Sequence, residues 1–277
     1  MKLTVLLDNN TTIDRYFLGE PGVSYYIQDG EVNILFDAGY SDAFIINSDK
    51  MGKNLVDIDY IIISHGHNDH TWGLSHLIKK YSESNNEIKN NKKPKLLSHP
   101  LAFNDKYSDN EHIGSLISLN KAKKYFDILQ SKNPIWITEK IVFLGEIERR
   151  NNFENKTAIG KTLYLDQEID DYVMDDTALV YKSSEGLVII TGCSHSGICN
   201  IIDYAKKICN DERIVDIIGG FHLLSPEEAI LKMTLEFFKE NNIKRIHACH
   251  CTDLKSKIAL SEVCEVKEVG VGLTMEY

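Results

Sequence analysis

Residues 63–74 read ISHGHNDHTWGL and continue the apolar run DYIII (59–63). Four potential metal ligands lie within six positions of this stretch: His65, His67, Asp69 and His70. At the His and Asp content of this chain, an accidental H-x-H-x-D-H has odds on the order of one in a thousand. Alternate side chains of an extended loop point to one side, so His65 and His67 can reach one ion. Asp69 and His70 can then face a second ion beside it, so the stretch predicts a site for one or two metal ions.

Further ligands must come from other segments, because one six-residue loop cannot complete the coordination of two ions. Five other apolar, strand-like segments end in Cys, His or Asp. They are NILFDAG (33–39) with Asp37, KLLSHP (95–100) with His99, LVIITGCSHSG (187–197) with Cys193 and His195, IIGGFHL (217–223) with His222, and RIHACHC (245–251) with His250. This pattern is expected if the strand ends converge on one edge of the sheets.

The composition indicates an ordinary globular protein. The chain has 277 residues, of which 43% are hydrophobic and 26% charged, so it can bury a sizeable core. A net charge of −10 without a lysine- or arginine-rich stripe argues against nucleic-acid and anionic-membrane partners. No signal-peptide pattern and no membrane-spanning apolar run is present, so we expect a cytoplasmic protein in which the six cysteines are reduced.

Strand-like and helix-like patterns alternate along both halves of the chain. Sheets covered by helices are therefore expected, in a single domain spanning 1–277. The predicted helices include one capped by Ser41 and ending at Gly52, one beginning near Trp72, one over 120–130, and one capped by Ser225 with Pro226 in its first turn. Residues 82–93 are expected to form an exposed loop.

The H-x-H-x-D-H motif after an apolar strand, with LFDAG before it and the further strand-end ligands after it, resembles the metallo-β-lactamase superfamily. The resemblance implies an α/β fold, namely an αββα sandwich of two mixed sheets with helices on the outer faces. It also implies a one- or two-metal site between the sheets. The segments TGCSHSGICN, GGFHL and HCT look like the branch named dihydropterin ribofuranosyl-aminobenzene-phosphate synthase-like, although a fold and a family label do not fix a function.

The resemblance also implies roles for individual residues. His65 and His67 match ligands of the first ion, Asp69 and His70 match ligands of the second, and His250 matches the final histidine of the family. Cys193 ends a strand where many members have a bridging Asp and zinc β-lactamases have a Cys ligand, and Asp37 matches a residue that orients the site. Most members have a histidine about two dozen residues before the Cys193 position, whereas this chain reads DQEIDDYVMDDTAL (166–179) there. His195 is the first choice for this third ligand, His99 the second, and Asp175 or Asp176 the third.

The leading functional hypothesis is hydrolysis of a small ester- or phosphoester-containing substrate by metal-activated water. Pterin-related compounds are among the candidate substrates on resemblance alone. Asp69 is expected to orient the water or collect its proton, and His222 or His195 to donate a hydrogen bond to the developing oxyanion. Zinc is the expected ion, with iron, manganese and nickel as alternatives. The competing hypotheses are an iron-dependent redox enzyme and a non-catalytic metal- or ligand-binding protein, and the sequence does not predict the oligomeric state.

Overall fold

A computed structural model describes residues 1–83 and 93–277. Most of the loop expected at 82–93 therefore lies outside the described residues. The described strands are β1 (Lys2–Leu7), β2 (Ser24–Asp29), β3 (Val32–Phe36), β4 (Tyr60–Ile62), β5 (Lys95–Ser98), β6 (Lys106–Ser108), β7 (Glu111–His112), β8 (Asp127–Gln130), β9 (Ile135–Trp136), β10 (Ile141–Phe143), β11 (Gly160–Tyr164), β12 (Gln167–Asp171), β13 (Ala178–Lys182), β14 (Leu187–Thr191), β15 (Ile214–Gly220), β16 (Arg245–Cys249), β17 (Glu265–Val266) and β18 (Thr274–Glu276). The described helices are α1 (Ala43–Lys50), α2 (Asn68–Thr71), α3 (Gly73–Glu83), α4 (Leu119–Ala122), α5 (Ile198–Cys209), α6 (Glu228–Glu240) and α7 (Leu254–Leu260).

Two large mixed sheets organise these strands. The first has the order β18-β1-β2-β3-β4-β5-β8, and its β3, β4, β5 and β8 are parallel. The second has the order β17-β16-β15-β14-β13-β10-β9, and its β14 to β17 are parallel. A third sheet, with the order β12-β11-β6-β7, is smaller, and no sequence pattern predicted it.

Alternation of apolar side chains along the strands builds the layers. In β14, Val188 and Ile190 join the cluster that also contains Leu3 and Phe36 of the first sheet, so these residues pack between the sheets. Ile189, between them in sequence, joins a different cluster with residues of α5 and α6. Successive side chains of a strand point to opposite faces, so a strand that is apolar at every position must be covered on both sides.

Helices cover the outer face of each large sheet. Residues of α1 and α3 pack in the cluster under the first sheet, and residues of α5, α6 and α7 pack in the cluster under the second. The layers are thus helix, sheet, sheet and helix, which confirms the expected αββα sandwich. None of the helices in the described part of the chain has the length and apolar character of a membrane span.

The helix predicted over 120–130 is wrong in its second half. Only Leu119–Ala122 is helical, and Asp127–Gln130 forms the edge strand β8. Leu129 packs against the core between the sheets, and Ile128 packs against the core under the outer helices. Parallel pairing of β8 with β5 therefore overrides the helix-like local pattern.

The predicted helix caps are also displaced. The N-cap of α6 is Glu227, while Ser225 has φ of 45° and its backbone N–H donates to Asp253 Oδ2 at 2.6 Å. The N-cap of α1 is Asp42, and the hydroxyl of Ser41 accepts a hydrogen bond from the backbone N–H of Ala43 at 3.1 Å. In both cases the serine belongs to the loop before the helix.

The fold places the segments with potential ligands at one edge. Asp37 follows β3 and the H-x-H-x-D-H motif follows β4 in the first sheet, while Cys193, His222 and His250 follow β14, β15 and β16 in the second. Each of these strands is parallel to its neighbour among them. The carboxyl ends of parallel strands meet at the same edge of a sheet, and such an edge is where α/β proteins bind ligands.

Replacement of Ile62 by alanine should test the core between the sheets. Ile62 is fully buried in β4, directly before the motif, so we expect Ile62→Ala to lower the free energy of unfolding by about 2–5 kcal/mol. Urea unfolding measures this loss. The control Ile169→Ala, at a side chain that is 43% exposed in β12, should change stability by about 0.5 kcal/mol or less. Equal losses in the two variants would contradict this assignment of the core.

Candidate metal centre

The motif turns from strand into helix within a few residues. His67 is the extended N-cap of the one-turn helix α2, and the backbone N–H of Asn68 donates to the carbonyl of Ile113 at 2.7 Å. Gly66 is required between the two histidines because a Cβ there would lie 2.2 Å from the carbonyl oxygen of Ala102. The bend sends His65 and His67 to one group of side chains and Asp69 and His70 to another.

The first group, called cluster A, consists of His65, His67 and His195. Their ligand atoms lie within 4.8 Å of one another, and His65 Nε2 is 3.0 Å from His67 Nδ1. Among the described residues, His67 Nε2 and both ring nitrogens of His195 are buried without a hydrogen-bond partner. A buried polar group left without a partner costs about 1–3 kcal/mol, so three orphaned nitrogens in one place fit a site that receives a metal ion.

Burial keeps cluster A neutral. It holds the pKa of His65 and of His195 well below the usual value, and the neighbouring imidazoles act in the same direction. Burial and the nearby Lys106 ammonium lower the pKa of His67 to about 4, against the opposing effect of Asp69. Neutral imidazole is the form that binds a metal ion, so these three side chains are ready to coordinate at neutral pH.

The second group, called cluster B, consists of Asp69, His70, Cys193 and His250, again with ligand atoms within 4.8 Å of one another. Cys193 Sγ lies 3.2 Å from His70 Nε2 and 3.1 Å from His250 Nε2. Asp69 Oδ2 lies 3.2 Å from His250 Nε2 and 3.7 Å from His70 Nε2. One carboxylate, one thiol and two imidazoles form a donor set that suits a divalent transition-metal ion.

Cluster B carries charge that cluster A lacks. Burial opposes protonation of His70, but the carboxylates of Asp69 and Asp37 outweigh it and raise the pKa of His70 to about 9. Burial likewise opposes the charge of Asp69, but His70 and His250 overcome it and hold the pKa of that carboxyl well below its usual value. Without a metal ion, the proton on His70 therefore compensates the acidic groups around it.

Asp37 connects the two clusters. Its Oδ1 accepts the backbone N–H of Ser64, and its Oδ2 accepts both the hydroxyl of Ser64 and Nδ1–H of His70, all at 2.7 Å. Because the Ser64 hydroxyl donates to Asp37, Nδ1–H of His65 donates to Ser64 Oγ at 2.9 Å. The Nε2 atoms of His65 and His70 are thereby aimed at their clusters. The orienting role expected of Asp37 would act through these contacts, and it stays a prediction.

Asp8 and Asn9 support His250, and neither was among the predicted site residues. The backbone N–H of His250 donates to Asp8 Oδ1 at 2.9 Å, and its Nδ1 lies 3.0 Å from Asn9 Oδ1. Both residues directly follow β1, where Asp8 is completely buried. A strand end that carries an acid and an amide, as LLDNN does, was the available signal.

A buried lysine, Lys106, anchors the motif loop, and no sequence pattern predicted this role. Lys106 Nζ donates to Asp171 Oδ2 at 2.7 Å and to Asp175 Oδ1 at 2.9 Å, and Asp175 Oδ2 accepts the backbone N–H of Gly66 at 2.7 Å. Burial opposes the charges of Lys106 and Asp175. Their mutual attraction prevails, so the pKa of Lys106 is raised and that of Asp175 is lowered. The small sheet is therefore fixed to the loop between His65 and His67.

The remaining candidate residues lie outside both clusters. Asp176 Oδ2 accepts the backbone N–H and the hydroxyl of Ser196, which holds the loop of His195. His99 instead contacts Glu146 Oε2 through Nε2 at 3.0 Å, and its Nδ1 accepts the backbone N–H of Leu101. Asp175 is bound to Lys106, so of the alternatives for the missing histidine only the first choice, His195, lies in cluster A, and its role as a ligand stays a prediction.

The clusters adjoin a cavity of about 510 Å³. Its lining includes Asp69, Cys193, His195, His222 and His250, so both clusters border it. The imidazole of His222 lies 4.3 Å from that of His195, measured between ring centroids. His222 itself has φ of 51°, which turns the chain sharply after β15. A small molecule in this cavity would contact cluster A and cluster B together.

The chain combines two packed mixed sheets, outer helices and two His/Asp/Cys clusters at the strand ends. This combination is typical of one class of metal-binding proteins. The chain belongs to the metallo-beta-lactamase superfamily, whose family model matches residues 18–204. The matched range contains all of cluster A, and it ends before His222 and His250. The family resemblance inferred from the motif is thus confirmed.

The chain is also similar to individual proteins over most of its length. The chain is 32% identical over 283 residues to a protein of Methanocaldococcus jannaschii named 7,8-dihydropterin-6-methyl-4-(beta-D-ribofuranosyl)-aminobenzene-5'-phosphate synthase, covering 97% of this chain and 92% of that one. It is 31% identical over 262 residues to the uncharacterised protein MJ0448 of the same organism, covering 94% of each. Among solved structures, Tm1679, described as a metal-dependent hydrolase of the beta-lactamase superfamily, is similar with a TM-score of 0.84, 27% identity, and coverage of 100% of this chain and 99% of that one.

Removal of the buried ammonium should destabilise the protein strongly. We expect Lys106→Met to lower the free energy of unfolding by about 3–5 kcal/mol, because it leaves the carboxylates of Asp171 and Asp175 buried without their partner. Urea unfolding measures the loss. The control Lys80→Met breaks a surface ion pair with Asp49 and should cost about 1 kcal/mol or less. If Lys106→Met is as mild as the control, the ion pairs do not anchor the loop.

Proposed function

We propose that this protein is a metal-dependent hydrolase that acts on a small ester or phosphoester. The observation that carries the proposal is the pair of adjoining ligand clusters beside one cavity. Membership of the metallo-beta-lactamase superfamily supports it, as does the similarity to Tm1679, a protein described as a metal-dependent hydrolase.

His65, His67 and His195 would hold one ion, and Asp69, His70, Cys193 and His250 would hold a second. A divalent ion in such a site lowers the pKa of water from 15.7 to about 7 and polarises the bond to be cleaved. We propose zinc because a thiolate such as that of Cys193 is a soft ligand that zinc accepts well. Iron, manganese and nickel remain alternatives that metal analysis separates.

Two side chains are proposed to act on the substrate or the attacking water. Asp69 is 24% exposed at its side chain and lines the cavity, so its carboxylate can orient a water molecule or accept its proton. His222 lines the same cavity beside His195, where its imidazole can donate a hydrogen bond to the oxygen that gains negative charge.

A second candidate function follows from the named relative. Identity of 32% over 97% of this chain favours formation of a dihydropterin-containing compound, as the name of the synthase of Methanocaldococcus jannaschii states for that protein. Formation of the compound in that protein's name, followed by mass spectrometry, is the direct assay. Product formation there, with no hydrolysis of chromogenic esters, would replace the hydrolase proposal.

Metal analysis combined with turnover should test the hydrolase. Protein purified without added metal is expected to contain one or two zinc ions per chain and to hydrolyse bis(4-nitrophenyl) phosphate. Asp69→Asn should lose the second ion and reduce turnover by at least about 100-fold, because it removes both a ligand and the carboxylate beside the water. Elemental analysis, absorbance at 400 nm (roughly the nitrophenolate band) and circular dichroism report metal, activity and fold.

The matched control is Asp170→Asn, an exposed acid paired with Lys161 on the small sheet, which should keep metal and turnover. Stoichiometric iron without hydrolysis would favour a redox enzyme on the same fold. Metal without any turnover would favour a binding protein. An Asp69→Asn variant with full metal content would contradict the role given to Asp69.

The two clusters should differ in the protons that they release. At pH 7 the metal-free protein carries a proton on His70, whose pKa is about 9, but none on His67, whose pKa is about 4. The ion held by cluster A should therefore displace no proton from its ligands. The ion held by cluster B should displace those of His70 and of the Cys193 thiol, whose pKa burial raises, so its affinity should rise more steeply with pH. Calorimetry in two buffers of different ionisation enthalpy measures this difference.

Asp69→Asn provides the internal comparison, since it should retain only the binding event that displaces no proton from the ligands. Equal proton release from both ions in the unmodified protein would refute the division into a neutral cluster A and a protonated cluster B.

A further inference from the structure

The cavity beside the clusters has an apolar side built from residues that play no part in metal binding. Five such residues line it: Pro21, Tyr40, Ile113, Ile159 and Leu224. Tyr40 is 43% exposed and Leu224 is 57% exposed. Large apolar side chains kept open to solvent next to a reactive centre point to a ligand that covers them.

Tyr40 is held in a fixed orientation. One face of its ring stacks on Trp72, with 4.6 Å between ring centroids and an interplanar angle of 28°. The indole N–H of Trp72 donates to the carbonyl of Gly114 at 2.7 Å, and this hydrogen bond holds the indole against which Tyr40 stacks. The backbone N–H groups of Tyr40 and Ser41 both donate to Glu20 Oε1. Tyr40 lines the cavity and is 43% exposed, so it can contact a ligand there.

Ile113 and Ile159 are fixed as firmly. Ile113 donates its backbone N–H to the carbonyl of Lys106 at 2.9 Å and accepts the backbone N–H of Asn68 through its own carbonyl. Ile159 donates its backbone N–H to the carbonyl of Asp171 at 2.9 Å. Both side chains come from the small sheet or its flanks. A preformed apolar surface of this kind binds a rigid apolar group at little entropic cost.

The charge of the lining restricts the ligand further. Of the described residues that line this cavity, none is a lysine or an arginine, while Glu20 and Asp69 bring carboxylates. An adjoining recess of about 190 Å³ contains Lys156, whose ammonium donates to the carbonyl of Asn151. A second anionic group on the ligand would thus meet no lysine or arginine side chain among the described residues of the main cavity.

We propose that the apolar side of this cavity is a specificity site for an uncharged aromatic group, which stacks on Tyr40 and is contacted by Ile113, Ile159 and Leu224. The aromatic group is attached directly to the phosphoryl or acyl centre that faces the clusters. The inference rests on the proposed function only in assigning the reacting centre to the clusters, because the aromatic preference follows from the apolar lining itself.

Binding of stable phosphonate esters tests the site without turnover. Methyl phenylphosphonate and methyl methylphosphonate are monoanions that differ only in a phenyl or a methyl group on phosphorus. Their dissociation constants are measured by calorimetry on the full chain with its native metal. The phenyl compound should bind about tenfold more tightly, from burial of the ring and stacking on Tyr40. Methyl (4-carboxyphenyl)phosphonate should lose this advantage because its added carboxylate has no cationic partner.

Variants assign the preference to the proposed residues. Tyr40→Ala and, as a second and independent variant, Leu224→Ala should reduce the phenyl-to-methyl ratio to about 2 or less. Tyr40→Phe should keep the ratio because the stacking ring remains. Tyr164→Ala is the matched control, since Tyr164 is 45% exposed on β11 and lies outside the cavity lining; it should keep the ratio.

The outcomes separate this inference from the proposed hydrolase. Equal binding of the phenyl and methyl compounds, no binding of either, or a ratio unchanged in both Tyr40→Ala and Leu224→Ala would overturn the aromatic site, even if bis(4-nitrophenyl) phosphate is hydrolysed. A phenyl preference that is lost in Tyr40→Ala would support the aromatic site, even if no hydrolysis is found.

Discussion

The centre depends on the hydrogen bonds that the carboxylate of Asp37 accepts. It is completely buried after β3, and it accepts three hydrogen bonds that together orient one histidine of each cluster. A buried carboxylate is costly unless it is fully bonded, so these donors stabilise Asp37 while Asp37 positions them. The two ligand clusters are therefore connected by hydrogen bonds through one aspartate.

The rest of the fold brings the second half of the centre to this point. Parallel strands β14, β15 and β16 end beside the first sheet, and their following loops deliver Cys193, His195, His222 and His250. The apolar residues between the sheets fix the distance between these loops and the motif. Rigid strands thus set the positions of ligands that lie up to 185 residues apart in the chain, from His65 to His250.

Much of this arrangement could be predicted from the sequence, because the relevant signals are local. The H-x-H-x-D-H motif, the apolar strands and the polar residues at their ends indicated the sandwich and a centre at one edge, and His195 was the preferred substitute for the absent histidine. The helix expected at 120–130 failed because pairing of β8 with β5 outweighs local helical preference. The contacts of Lys106 with Asp171 and Asp175, and of Asp8 with His250, join residues 65 to 242 positions apart, and no local pattern marks such partners.

The buried Lys106 has a consequence for how this architecture can diversify. Its ammonium belongs to β6, one partner belongs to β12, and the other partner holds Gly66 between two histidines. Buried ion pairs thus join the small sheet, which flanks the cavity, to the motif loop between the two histidines. A chimera in which a relative supplies this sheet must therefore keep the lysine and both aspartates together. Otherwise a charged side chain is left buried without its partner. Substitutions of cavity-lining residues beside the small sheet, such as Ile113 and Ile159, can change ligand selectivity more readily, because they leave these ion pairs in place.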